Sequence, residues 1–383
     1  MLTKLRLNNF TSFKEETTFD FRATHYKILE KTNVFEGTLK GAMFVGANAS
    51  GKTNVFRSLR MLLQLLFKEE EISLRQRRCL FSDNPKFKLG FEFAIGSSVI
   101  DYAFEYDARS GRFTSETLTL DGEEVLRRIG GNARSRITDR ELIEDIPDES
   151  LILREIYFNT KFRNQKPLQL WFQFLLNSIT LDGYRRKIFV PGKQSMTLQG
   201  YLRNGGADAI NRFFEKYHFD QRIEYTESIA GTNAVIQSEN KNIYFRRQGV
   251  GEPIPFQLES LGNRNLLYFL PPFFHVIRNG GMLIVDEFSS GMHNFLEELL
   301  VRYFMKESRN AQLFLVSHST NLLSNSILRP DQLYAIDFAG ADGSHIKRFS
   351  SEKPREAQNL EKMYTSGVFG GVPSYRDEND PFE

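Results

Sequence analysis

Cysteine is almost missing: Cys79 is the only one in 383 residues. A disulfide within the chain is therefore excluded, and so sparse a thiol content fits a reducing compartment. No motif around Cys79 marks it as a nucleophile. No run of about 18 apolar residues occurs, so no membrane-spanning helix is expected. Apolar heptads never persist over several turns, which excludes a long coiled-coil arm. Charge excess is lacking as well. The chain has 50 Lys and Arg against 48 Asp and Glu, a net of +2, and a surface built throughout for a polyanion would be more basic. There is a single Trp, Trp171, expected in the core. Repeats and low-complexity tracts are absent. The opening Leu5-Arg6-Leu7 reads as strand rather than as part of a leader peptide, and the expected location is cytoplasmic.

Phenylalanine is abundant, with 35 residues, which points to a large interior. The length exceeds one average domain. The expectation is one core, formed by residues 1–125 and 241–383, interrupted by a mostly helical lobe at 126–240.

Residues Gly46-Ala47-Asn48-Ala49-Ser50-Gly51-Lys52-Thr53 fit the phosphate-binding loop G-x-x-x-x-G-K-[ST] at every fixed position. Ala42-Met43-Phe44-Val45 before it reads as a buried strand. After it, Val55, Leu59, Leu62, Leu63 and Leu66 recur at helical spacing. Backbone N–H groups of such a loop face a phosphate, and the helix N-terminus adds its positive end. Gly46, Asn48, Ala49, Ser50, Gly51 and Asn54 are therefore candidate nucleotide contacts. Lys52 would reach the β- and γ-phosphates, and the Thr53 hydroxyl would bind Mg²⁺.

Alternation of apolar and polar residues predicts strands over 1–21, a hairpin through Gly96-Ser97-Ser98, a further strand over 113–120, and strand character over 223–245. Residues 126–140 are basic and contain Gly130-Gly131. A solvated surface hairpin is the expectation there, with contact to a phosphate backbone as the alternative. Residues 151–214 read as mostly helical.

Gly281-Met282-Leu283-Ile284-Val285-Asp286-Glu287 is an apolar run of the kind that buried parallel strands show, ending in two carboxylates. Strand ends of this kind line the ligand crevice of open α/β sheets. Asp286 would hold Mg²⁺, and Glu287 would polarise the attacking water. Gln312 to His318 is a second such strand, placing His318 where a side chain can meet the γ-phosphate. Between them lies Ser289-Ser290-Gly291-Met292-His293. Upstream, Ser260 and Gly262 sit before a helix. They can cap it or present donors to a phosphate.

Together these residues resemble the ABC-type ATPases grouped with RecF, SMC and the OLD-family nucleases. Asn9-Phe10-Thr11-Ser12-Phe13 resembles the opening of those ATPase heads, where it lies near the adenine. The narrower resemblance is to AAA_15 ATPases of the RloA/AbiLi abortive-infection type. It rests on Glu259-Ser260-x-Gly262, on Asp286 through His293, on Ser317-His318, and on Leu328-Arg329-Pro330-Asp331-Gln332. It rests also on Glu361 through Pro373, with Gly370-Gly371-Val372-Pro373 at its end. Asn263 stands where the family has Thr, and Gly291 where Leu is usual.

The resemblance implies an ABC-type P-loop α/β core with an antiparallel rim, and ATP sandwiched between at least two copies of the chain. Ser260 and Gly262 of one copy would face the nucleotide of the other. It implies ATP hydrolysis in anti-phage defence, with a separately encoded effector nuclease and room for contact with DNA or a phage protein. An effector within the chain is not expected, since only 65 residues follow His318. A nucleotide-locked scaffold with negligible turnover is the alternative of a different class. A RecF/SMC-like repair ATPase is the third, and the position of a Q-loop stays open.

Overall fold

The computed structural model describes residues 1–68, 73–192, 196–226, 242–289 and 291–372. Strands β1 (Leu2–Asn8) and β2 (Thr17–Asp20) pair antiparallel, as the alternation predicts. A short helix α1 (Glu30–Asn33) and a two-residue hairpin, β3 (Val34–Phe35) with β4 (Thr38–Leu39), lead into β5 (Gly41–Val45) and α2 (Lys52–Phe67). A meander follows: β6 (Lys86–Ile95), β7 (Ser98–Asp107), β8 (Arg112–Leu120), β9 (Glu123–Ile129), β10 (Asn132–Ser135) and β11 (Leu142–Ile143). With β1 and β2 these make an eight-stranded antiparallel sheet.

Helices α3 (Ile152–Thr160) and α4 (Lys166–Leu176) cross to β12 (Ile179–Asp182) and β13 (Lys187–Phe189). Then come α5 (Leu198–Gly205), α6 (Asp208–Lys216) and a small sheet of β14 (Gln221–Thr226), β15 (Asn242–Arg247) and β16 (Ile254–Pro255). The remaining described elements are α7 (Leu261–Asn279), β17 (Gly281–Asp286), α8 (Asn294–Glu307), β18 (Ala311–Val316), β19 (Leu333–Phe338), β20 (Ser344–Arg348) and α9 (Leu360–Thr365). The second large sheet has the order β13-β12-β17-β18-β5-β19-β20, parallel from β12 to β19.

Residues of its central strands alternate between two cores. Ala42, Phe44, Met282, Ile284, Phe314 and Val316 join α2, α4 and the antiparallel sheet. Met43, Val45, Leu283, Val285, Leu313 and Leu315 join α7 and α8. Burial on both faces is why these strands read as unbroken apolar runs. α2 fits its sandwiched place: Val55, Leu59, Leu62, Leu63 and Leu66 are all fully buried.

Residue 126 falls inside β9, and residues 126–143 are largely strand. Among the described residues, the rest of the segment up to 240 contributes four helices, but β12 belongs to the nucleotide-bearing sheet. The basic stretch is the expected hairpin, with one difference. Arg128 is not solvated but fully buried. Its guanidinium donates to the carbonyls of Gly130, Pro147 and Ser150. Beside it the buried Glu116 carboxylate accepts from Tyr102 and from the first N–H groups of α3. The pair thus docks α3 on the sheet.

The Leu328–Gln332 motif also has a structural use. Arg329 and Asp331 are both 0% exposed and form a two-pronged ion pair, with both distances 2.8 Å. Asp331 Oδ2 also accepts from the Thr24 backbone and hydroxyl, tying the N-terminal rim to β19. Burial disfavours the Asp331 carboxylate. The Arg329 hydrogen bonds, the Thr24 N–H and the Arg329 charge outweigh it and hold the acid below its usual range. This contribution to stability is present above the unfolded pKa of about 4 and is lost as pH falls through the lowered folded value. Asp331→Ala strands Arg329 without its partner. We expect it to cost about 3–5 kcal/mol, read as a lower urea midpoint.

Candidate nucleotide site

The site is built at the C-terminal ends of the parallel strands. β5 leads to Gly46, and the loop closes at Gly51, whose φ of +110° starts α2. That conformation is open to glycine at no steric cost. A Cβ there would also stand 2.4 Å from Ser344 Oγ and 2.6 Å from Ser12 Oγ. Ser12 accepts from Asn54 Nδ2 at 2.8 Å, and the Ser344 hydroxyl donates to the Ser50 carbonyl and is hydrogen-bonded to the Ser12 hydroxyl. The Phe10–Phe13 turn, closed by reciprocal backbone bonds, is therefore packed on the start of α2. Asn48 and Ala49 are exposed at the loop tip, and Ser50 is buried.

Lys52 is 7% exposed. Its ammonium donates to the carbonyls of Gly46 and Ala47 at 2.8 and 2.7 Å, which leaves one of its three protons for another acceptor. Burial pushes its pKa down, against the pull of Glu287 and Asp286. Thr53 donates to Asp286 Oδ1 at 3.3 Å. The Asp286 acid is pushed up by burial and by the nearby charges of Glu287 and Asp182, with the Thr53 bond opposing. Glu287 leaves β17 with a φ of +55°, and its Oε2 lies 3.8 Å from His318 Nε2. The backbone N–H of His318 donates to Ser289 Oγ. Beneath it, the buried Glu297 accepts from Ser317.

Lys52, Thr53, Asp286, Glu287 and His318 are thus brought together. Ser260 and Gly262 are not: among the described residues no hydrogen bond joins them to this group. Ser260 caps α7, accepting from the Asn263 backbone at 3.3 Å. Both departures from the family pattern find contacts here. Asn263 exchanges amide bonds with Gln221 on β14 and donates to Glu259. Glu259 in turn accepts from Arg247 on β15 and from the Ser260 N–H. Gly291 turns with φ +72°, and a Cβ there would crowd Asn265 Nδ2 at 2.8 Å, so a leucine does not fit this turn. Ser290 and Pro373 lie outside the described residues.

Asp182 escaped sequence reasoning. It ends β12 in register with Asp286, and the Gly183 N–H donates to the Asp286 carbonyl at 2.8 Å. Ile179-Thr180-Leu181-Asp182-Gly183 carries the same signal as the β17 run, a short apolar strand ending in a carboxylate. A cleft of about 550 Å³ opens here, lined by Thr53, Arg57, Arg60, Asp182, Asp286 and Glu287.

A parallel sheet carrying a phosphate-binding loop, beside an antiparallel sheet and with a carboxylate pair two strands away, defines an ABC-type P-loop ATPase fold. The chain belongs to the AAA_21 family, "AAA domain, putative AbiEii toxin, Type IV TA system", whose profile matches residues 42–324. In fold it is similar to the Smc head bound to the C-winged helix domain of ScpA, at 14% identity over 90% of this chain and 96% of that one, with a TM-score of 0.50. The SMC head domain from Thermotoga maritima aligns at 17% identity over 90% and 97% of the two chains, with a TM-score of 0.49. No curated protein matches the chain. Among the described residues, no helix is long and apolar enough to cross a membrane.

Proposed function

We propose that the chain binds and hydrolyses ATP with Mg²⁺ at a site that two copies complete, and that this turnover drives a regulator of anti-phage defence of the RloA/AbiLi type. The observation that carries the ATPase reading is the Thr53–Asp286 contact, with Lys52 and Glu287 around the same loop. Two hard oxygen donors beside further carboxylates suit Mg²⁺, which takes few protein ligands and fills its shell with phosphate oxygens and water. Among the described residues no cluster of three His, Cys, Asp or Glu could hold a metal unaided, in keeping with that mode. When bound, the ion neutralises charge developing on the phosphates.

The loop from Gly46 to Asn54 holds the phosphates, and Lys52 pairs with the β- and γ-groups. Glu287 orients the attacking water and takes its proton, and His318 meets the γ-phosphate. Ser260 and Gly262 act on the partner copy's nucleotide. Ser260 is exposed and flanked by Leu258 and Leu261, 78% and 47% exposed; an apolar rim of this kind suits a surface that closes on another copy. The ATPase core would draw on 1–125 and 241–383 together with β12 and its Asp182, and the rest of 126–240 would be the inserted lobe. Support for a defence role comes from the family description, which names a putative toxin of a toxin–antitoxin system. A separately encoded nuclease is the effector class this reading assigns, and the Smc head bound to a ScpA domain is a precedent for a head that docks a separate protein.

Calorimetry tests the reading. Lys52→Ala should stay folded and bind ATP at least tenfold more weakly, the scale of a lost charged hydrogen bond. Equal affinity in the two proteins would remove the phosphate-loop assignment.

A further inference from the structure

The C-terminal glycine motif lies far from the phosphate loop in sequence but touches it in the fold. Gly371 has a φ of +75°, and a Cβ on it would stand 3.3 Å from the Gly46 Cα and 3.2 Å from the Ala335 Cβ. Its N–H donates to Asp337 Oδ1 at 2.7 Å, and its carbonyl accepts from the Tyr364 hydroxyl at 2.9 Å. Gly370, with φ +71°, lies over the other oxygen of the same carboxylate, where a Cβ would come within 2.3 Å. Phe369 stacks on Phe349 with ring centroids 3.8 Å apart, and Lys347 donates to the Val368 carbonyl. The turn is thus pinned from several sides against the first glycine of the loop.

The same segment reaches the His318 side of the site. Glu361, in the first turn of α9, accepts from the Thr320 hydroxyl. Thr320 opens the short turn Thr320–Leu322, two residues after His318. One fourteen-residue stretch, 359–372, therefore contacts both the phosphate loop and the loop that carries His318.

We propose that this stretch is a positioning element of the nucleotide site: Gly371 fixes the start of the phosphate loop, and Glu361 fixes the His318 loop beside it. The proposal rests on the ATPase reading above. The two contacts touch different groups, so they predict different kinetic losses. A side chain at Gly371 displaces Gly46 and acts on nucleotide binding. Loss of the Glu361 acceptor frees the His318 loop and acts on the chemical step. At these distances Gly46 must give by a few tenths of an ångström, a fraction of the roughly 1 Å misplacement that can cost about a hundredfold.

The experiment is steady-state ATP hydrolysis with calorimetric ATP binding, on the full chain and on folded variants. Gly371→Ala should raise KM and the ATP dissociation constant about tenfold or more while kcat changes little. Glu361→Ala should lower kcat about tenfold or more at unchanged KM, and Glu361→Gln, which keeps an oxygen acceptor for Thr320, should restore it. Where Gly371→Ala does not fold, Tyr364→Phe removes one restraint on the turn without touching the backbone and should raise KM in the same direction. A purely structural role would lower the melting temperature and leave KM and kcat at wild-type values; that outcome overturns the proposal. Should wild type and Lys52→Ala bind ATP alike, the ATPase reading itself fails and the proposal falls with it. Wild-type binding that is lost in Lys52→Ala, with Gly371 and Glu361 variants unaffected, refutes the positioning role alone.

Discussion

Glu287→Gln is expected to keep ATP affinity and to lower turnover by about 10²–10⁴-fold, the usual contribution of a general base. The side chain stands at the end of β17, lines the cleft with Thr53 and Asp286, and lies 3.8 Å from the His318 imidazole. Glutamine preserves its length and hydrogen-bonding reach but cannot take a proton from water. The ATP-bound assembly should accumulate, visible as a larger sedimenting species when ATP is present. Phosphate release near the wild-type rate would place the base elsewhere. Asp182, opposite Asp286 on the neighbouring strand, would then be the first residue to replace.

Ser260→Arg should bind ATP normally in its own phosphate loop and hydrolyse it at least about a hundredfold more slowly, on the scale of losing a preorganised donor at developing charge. The substitution puts a bulky cation at the face where two copies would close. It leaves Lys52, Thr53 and Asp286 untouched, since no hydrogen bond among the described residues reaches them from Ser260. Mixing Ser260→Arg with Lys52→Ala chains sharpens the test. One composite site of the heterodimer then carries both lesions and the other carries neither. Where one intact site fires alone, activity should return to about half the fraction of chains in heterodimers, with assembly followed by sedimentation; obligately coupled sites would give no rescue. A Ser260→Arg chain of wild-type activity would reduce Ser260 to the helix cap that its bond to Asn263 already makes it.

The phosphate loop and the β17 and β18 strands were legible because each is specified by contiguous residues. A loop that wraps a phosphate needs its glycines at fixed spacing, and a strand buried on both faces must be apolar throughout. What stayed hidden depends on partners distant in sequence. β12 is short and follows directly on α4, so its run merged with a helical stretch, and its pairing with β17 spans about a hundred residues. Asp182 was lost with it. Arg128 read as a surface charge because the carbonyls that satisfy it come from residues 147 and 150. The Gly370-Gly371 motif carried no local reason for its glycines. The reason lies at Gly46 and Asp337.

Odd and even positions of the central strands answer to different halves of the protein. Phe44 belongs with α2 and the antiparallel sheet, and its neighbour Met43 with α7 and α8. A substitution at one parity therefore acts first on the packing of one half. The surroundings of α2 and of α7 can thus be altered largely separately. That freedom ends where the strands end. Asp286, Glu287 and the loop after Val45 stand beyond the last alternating pair, in a zone that both halves must satisfy at once.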